Sequence, residues 1–163
     1  MHLPGLDSLR SAVGTVFVLG TVTACATAST SAGPVEYSVD ERVPIAADGV
    51  MPVSLKAGPV TFTELRVRNL PDEDEVLNSS RWEHSRPKPT VRATGDGSVA
   101  TKLDLEASLE SEQGEVFLKC TRRTSLNSSG REEWNLCTLE AMYTRDWPRT
   151  KFFHLRASVK PRD

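Results

Sequence analysis

The sequence has little net charge and few of the residues that build metal or catalytic sites. Its formal net charge is −2 over 163 residues, which gives no electrostatic reason to expect nucleic acid or an anionic membrane as a partner. It has three histidines and three cysteines, without an HExxH motif or the paired spacing of a zinc site. The GxSxG motif of serine hydrolases and a glycine-rich phosphate loop are also missing. The sequence therefore predicts no metal, no cofactor and no nucleic-acid partner.

The sequence also lacks an apolar run long enough to cross a bilayer. The apolar core of the first segment, residues 11–24, follows Arg10, carries no charge and has 14 residues. A spanning helix needs about 20 apolar residues, whereas the apolar region of a secretory signal peptide needs only about 7 to 15. Residues 1–24 are therefore predicted to be a signal peptide that exports the chain.

The residues that end this stretch carry a recognisable motif. Val22, Thr23, Ala24 and Cys25 place one aliphatic and two small residues before a cysteine. This pattern resembles the lipobox of bacterial lipoproteins. The resemblance implies cleavage between Ala24 and Cys25, a diacylglycerol thioether on Cys25, and acylation of its new amino group by a fatty acid such as palmitate. Several acyl chains would hold the protein at the membrane far more firmly than one.

The resemblance also implies a location in the bacterial cell envelope. In enteric bacteria an Asp after the lipidated cysteine favours retention at the inner membrane, and here that residue is Ala26. By this analogy the outer membrane is favoured over the inner membrane, with the protein facing the periplasm or the cell surface. Residues 25–34 are small or turn-forming, which is typical of a flexible tether. Residues 35–163 are then left to form a single domain.

Period-two alternation of apolar and polar residues dominates this domain. It is clearest over residues 99–110, and it recurs over 115–121, 133–143 and 151–160. Shorter candidate strands are 35–40, 50–56, 60–69 and 90–94, separated by glycine and proline turns. Eight short strands of this kind predict an all-β fold, an antiparallel β-sandwich that is immunoglobulin-like in broad architecture. A small β-barrel is the alternative.

The two remaining cysteines, Cys120 and Cys137, stand on predicted strands that could form a hairpin. In an exported protein such a pair is expected to form a disulfide rather than a metal site. The bridge would link neighbouring strands or adjacent sheets, depending on the register.

Two segments carry the predicted binding residues. They are residues 81–86, with Arg81, Trp82 and His84, and residues 145–149, with Arg145, Trp147 and Arg149. Tryptophans flanked by arginines in loops are typical of binding hot spots and of carbohydrate platforms. These loops indicate a non-catalytic binding or structural module of unknown partner, with an envelope protein or a glycan as the candidates.

The alternative hypothesis is an envelope hydrolase. His84 and His154 are the two histidines of the predicted mature chain, so one of them would serve as its general base. His154 falls on the polar face of the last predicted strand, where we expect it to be exposed. The hydrolase hypothesis requires one of these histidines to lie within hydrogen-bond reach of a Ser, Asp or Glu in a concave pocket.

Overall fold

The structure, a computed structural model, describes residues 35–162. The predicted signal peptide, the lipidation site Cys25 and the tether 25–34 lie outside the described residues. The described chain has ten strands, a short α-helix (α1, Glu73–Asn78) and a 3₁₀ helix (Thr144–Arg149). The strands are β1 Tyr37–Pro44, β2 Val50–Ala57, β3 Val60–Arg68, β4 His84–Ser85, β5 Lys88–Gly95, β6 Thr101–Glu110, β7 Val116–Leu126, β8 Arg131–Asn135, β9 Met142–Tyr143 and β10 Phe152–Pro161.

The eight longer strands form two antiparallel four-stranded sheets. The first sheet has the order β1-β10-β6-β7 and the second has the order β2-β3-β5-β8. Over residues 35–162 neither sheet closes into a barrel, so the predicted all-β sandwich is confirmed. The likeness to immunoglobulin domains is one of two-sheet architecture, because the strand order differs from the ABED and CFG order of that fold. Strands β4 and β9 pair separately as a small two-stranded sheet.

The core lies between the two sheets and follows the alternation of the sequence. On β10, the inward residues Phe153, Leu155, Ala157 and Val159 are all buried, as the pattern predicts. Strand β6 contributes Leu103, Leu105, Ala107 and Leu109, and the second sheet covers them with residues such as Phe62 and Val91. Burying one such large side chain contributes about 2 kcal/mol, so this core supplies most of the stabilisation.

The predicted strand over residues 133–143 is wrong in its length. Strand β8 ends at Asn135, and a turn separates it from the two-residue strand β9. In this turn the Glu140 carboxylate accepts hydrogen bonds from the backbone N–H groups of Thr138 (2.6 Å) and Leu139 (2.9 Å). These bonds offer the backbone an alternative to the sheet, and Leu139 is 75% exposed instead of facing the core.

The acidic run after β3 caps helix α1. Asp72 Oδ1 accepts a hydrogen bond from the backbone N–H of Glu75 (2.7 Å), and Glu75 Oε2 accepts one from the N–H of Asp72 (3.1 Å). This capping box explains why a helix of about one and a half turns forms there, and the acids of its first turn stabilise the helix N-terminus.

The two ends of the sandwich carry different structural elements. Tyr37, where β1 begins, lies over Gly58 in the β2–β3 turn, and a Cβ at Gly58 would collide with the Tyr37 ring. The opposite end holds α1, the β4–β9 pair and the 3₁₀ helix, because β3 ends and β5 begins there. We call these the tether end and the loop end. They are about 30 Å apart, since β3 has nine residues at about 3.3 Å each.

Candidate functional site

The pairing of β4 with β9 brings the two predicted binding segments together at the loop end. His84 stands opposite Tyr143, and Ser85 stands opposite Met142. The backbone N–H of Thr144 also donates a hydrogen bond to the carbonyl of Glu83 (3.0 Å). Segments almost 60 positions apart therefore share one small surface.

Three aromatic rings form the middle of this surface. The Trp82 and Tyr143 rings meet edge to face, with centroids 6.5 Å apart and an interplanar angle of 65°. The His84 ring lies 4.5 Å from the Tyr143 ring at an angle of 33°. Trp82 is nevertheless 69% exposed, so most of its indole faces solvent rather than the core. An exposed indole of this size is held in place and remains available for contact.

Two guanidinium groups flank the rings. Arg145 lies over Tyr143, with its Cζ 4.9 Å from the ring centroid, and Arg81 lies 5.4 Å from the centroid of Trp82. Within residues 35–162, Arg81 makes no ion pair, and Arg145 has only Asp146 at the 4.0 Å limit. Their N–H donors are therefore free to bind an anionic or polar group. We call Arg81, Trp82, His84, Tyr143 and Arg145 the Trp82 patch.

Tyr143 is the member of this patch that the sequence did not single out. In the sequence it is an apolar position of a strand pattern, and only the pairing with His84 places it between the two loops. An aromatic residue two positions before Arg145 was the available signal.

Trp147 and Arg149, the other two predicted binding residues, lie outside this patch. Trp147 is half-buried and packs against the core. It borders a cleft of about 430 Å³ whose other lining residues include Ile45, Leu70, Pro71, Asp72 and Lys151. Arg149 pairs with Glu115 and lies over the Phe117 ring at 4.9 Å. A binding role for these two residues stays a prediction.

His154 lies in a different setting from the exposed position that was expected. Its side chain is 12% exposed and sits on the outer face of the first sheet between two carboxylates. Its Nδ1 is 2.8 Å from Glu110 Oε1, and its Nε2 is 2.5 Å from Asp40 Oδ1. Sequence alternation gave the face correctly but could not show that β1 and β6 bring acids to both sides of the ring.

This arrangement bears on the hydrolase hypothesis. His154 is within reach of Asp40 and Glu110, but these contacts occupy both ring nitrogens, and the two nitrogens can donate together only in the imidazolium form. Ser108, which stands opposite His154 on β6, donates its hydroxyl to Glu110 Oε1 (2.6 Å) and not to the histidine. His84 makes no side-chain hydrogen bond within the described chain. Neither histidine is therefore arranged as a base beside a nucleophile.

The carboxylates around His154 are held in their charged forms. The hydrogen bond from His154 lowers the pKa of Asp40 below its ordinary value. Burial alone would raise the pKa of Glu110, but hydrogen bonds from Ser108, His154 and Arg42 outweigh it, so that pKa is also lowered. These groups form a stabilising network rather than a proton-transfer site.

Cys120 and Cys137 lie at disulfide distance, with Cα atoms 5.1 Å apart. Cys120 is on β7 of the first sheet, and Cys137 follows β8 of the second, so the pair joins adjacent sheets. Glu140 is close enough to form a three-ligand group with them. Its carboxylate already accepts two backbone hydrogen bonds, so it caps the turn.

Comparisons with known proteins give no family for this chain. No protein-family model matches the sequence, and no curated protein is detectably similar to it. In the part of the chain that the structure describes, no helix has the length and apolarity needed to cross a membrane. The function must therefore be inferred from the chain's own residues.

Proposed function

We propose that this protein is a lipid-anchored bacterial envelope protein whose sandwich domain is a non-catalytic binding module, with the Trp82 patch as its contact surface. The observation that carries the proposal is the convergence of Trp82, Tyr143 and two arginines at the loop end. Exposed tryptophan and arginine beside tyrosine are the residues most enriched in binding hot spots. Nothing else in residues 35–162 combines a mostly exposed indole with an arginine over its ring and a second arginine over the neighbouring tyrosine.

The position of the patch fits a protein anchored at its N-terminus. The lipobox at residues 22–25 precedes a ten-residue tether, and the folded chain starts at the tether end of the sandwich. The Trp82 patch is at the other end, about 30 Å away. An anchor on the N-terminal side would therefore leave the patch at the far end of the domain, accessible from the periplasm or the cell surface.

The cysteine pair supports an exported location. Cys120 and Cys137 are 17 positions apart and are brought to disulfide distance by the two sheets. Such bonds persist in the periplasm and at the cell surface and are rare in the cytosol.

The chemistry of the patch suits a partner that offers a flat apolar group beside an anionic or polar one. A protein loop with an acidic residue has this character, and so does a sugar ring with a carboxylate. Arginine over an aromatic ring keeps a planar set of donors for such a group.

Crosslinking in cells tests the contact surface. The tagged, lipidated protein is crosslinked and whatever co-purifies is identified, in parallel for Trp82→Ala and for Leu139→Ala. Leu139 is 75% exposed outside the patch and serves as a matched loss of exposed apolar area. We expect one dominant envelope component that is lost with Trp82→Ala and kept with Leu139→Ala. Retention in Trp82→Ala, or no enriched component at all, would contradict the proposed surface.

The anchor is tested separately by the intact mass of the protein extracted from membranes. We expect a chain that starts at Cys25 and carries the mass of the acyl additions. A chain that still starts at Met1, or one without added acyl mass, overturns the anchor while leaving the binding surface untested.

A further inference from the structure

The outer face of the second sheet carries a surplus of basic side chains. The strand registers place six bases and two carboxylates on it. The bases are Lys56, Arg66, Arg68, Lys88, Arg92 and Arg131, and the carboxylates are Glu64 and Glu133. This surplus is notable because the whole chain has a net charge of −2.

The two carboxylates engage half of these bases. Arg92 contacts Glu64 (3.2 Å) and Glu133 (2.6 Å), Arg66 contacts Glu64 (3.1 Å), and Arg68 pairs with Glu133. Within the described residues, the other three bases make no ion pair. These three, Lys56, Lys88 and Arg131, are all exposed.

The spacing of the three unpaired bases indicates the size of their partner. Lys56 and Arg131 lie at the two ends of one row that crosses four strands, which makes them about 14 Å apart. Lys88 stands six residues along β5 from that row, about 20 Å away. These distances exceed the reach of a single phosphate or carboxylate. They match a flat surface on which anionic groups are spread.

We propose that this basic face docks on the anionic phospholipid headgroups of the membrane to which the chain is tethered. The choice of a membrane over a soluble polymer rests on the proposed anchor at Cys25. Ten tether residues can span at most about 35 Å, which keeps the domain at the bilayer surface and lets the sheet lie against it. Each lysine or arginine near such a surface strengthens binding about fivefold. The patch at the loop end stays accessible in this orientation.

Vesicle sedimentation tests the proposal with residues 25–163, expressed without the signal peptide and with Cys25→Ser, so that no lipid is attached. The folded part of this segment has its own core. The probes are vesicles of phosphatidylcholine and vesicles of phosphatidylcholine mixed with phosphatidylglycerol. We expect binding to the mixed vesicles only, and we expect added salt to weaken it.

Two triple variants separate this face from net charge. Lys56→Gln, Lys88→Gln and Arg131→Gln together should weaken binding to mixed vesicles by about a hundredfold. Lys102→Gln, Lys119→Gln and Lys160→Gln remove the same charge from the first sheet and should change binding only slightly. Circular dichroism confirms that both variants fold.

An equal loss in both triple variants, or no binding by the parent chain, would overturn the proposal. Binding to soluble polygalacturonate without binding to mixed vesicles would also overturn it and assign the face to an acidic glycan. Because the probe chain carries neither lipid nor partner, these outcomes are independent of the crosslinking result and of the acyl mass.

Discussion

The outer faces of the two sheets use similar residues in different proportions. The first sheet, with Glu36 just before β1, presents six bases and five carboxylates, whereas the second presents six bases and two carboxylates. On the first face, every base except Lys102 has an acidic partner within the described chain. On the second face, Lys56, Lys88 and Arg131 make no direct ion pair, although the charge of Lys56 contributes to the lowered pKa of nearby Asp96.

This difference suggests that the charged side chains of the first face mainly stabilise the fold, whereas those of the second face are available to bind a partner. The first face forms a continuous network that runs from Lys119 through Glu106 and Arg156 to Asp40. This network links all four strands of the first sheet. Such a network satisfies its own charges and offers little to a partner. The second face leaves cations exposed, which costs some stability through repulsion and gives a surface that attracts anions.

The largest expected effect comes from the link between the two sheets. Replacing Cys120 and Cys137 by alanine should lower the free energy of unfolding by on the order of 3 kcal/mol, because the bridge closes a loop of 17 positions. Urea denaturation of the oxidised parent and the double variant measures the loss. Equal stabilities would mean that the cysteines are not bonded in the native protein.

A smaller loss should follow from opening the network on the first face. Glu110 is only 7% exposed and holds Arg42, Ser108 and His154. Glu110→Ala removes the acceptor that these three groups share, although Arg42 and His154 keep other contacts, and it should cost about 2 kcal/mol in urea denaturation.

The counterpart on the second face is Glu133→Ala. Glu133 is 27% exposed, so its loss should cost less than about 1 kcal/mol. Equal costs for the two variants would erase the distinction between a structural face and a binding face.

The pH dependence of stability should also separate the faces. Hydrogen bonds from Lys119 and His154 lower the pKa values of Glu106 and Asp40, and the pKa of Glu110 is lowered despite its burial. A carboxyl whose pKa is lower in the folded state stabilises the protein above its unfolded pKa of about 4. This stabilisation is lost as the pH falls through the folded pKa.

We therefore expect the free energy of unfolding to fall between about pH 5 and pH 2. The double variant Glu106→Gln with Glu110→Gln removes two such carboxyls from the first face. Glu133→Gln removes the one carboxyl of the second face whose pKa is lowered, chiefly by Arg92. The double variant should therefore flatten the fall more than the single variant. Urea denaturation near pH 7 and near pH 3 measures the slope. A steeper profile in the double variant would contradict the assignment.

The fold could be predicted from the sequence where one simple pattern applied. Alternation identified β6 and β10 and the face that each buries, because a sheet with one solvent face imposes period two. It failed over residues 136–141, where the Glu140 carboxylate accepts hydrogen bonds from two backbone N–H groups and the chain forms a turn instead of a strand. A two-residue strand such as β4 has too few positions to show any period.

The candidate site was predictable in its parts and not in its assembly. Trp82 and Arg145 could be selected as exposed binding types, but sequence does not specify that β4 pairs with β9 or that Trp147 turns toward the core. The same limit applies to His154, whose two acidic neighbours come from strands 44 and 114 positions away. Such long-range pairings depend on sheet order, which local patterns do not encode.

The smallest prediction contrasts one lysine from each face. Lys88 stands directly opposite Arg68 on the neighbouring strand and makes no ion pair within the described chain, so Lys88→Gln should raise the free energy of unfolding by about 0.3 kcal/mol. Lys119 pairs with Glu106 at 2.8 Å, so Lys119→Gln should lower it by about the same amount. Thermal unfolding of the two variants beside the parent resolves the signs. Opposite signs would show that the second face retains charge at a cost to stability, as a binding surface does, and matching signs would remove that distinction.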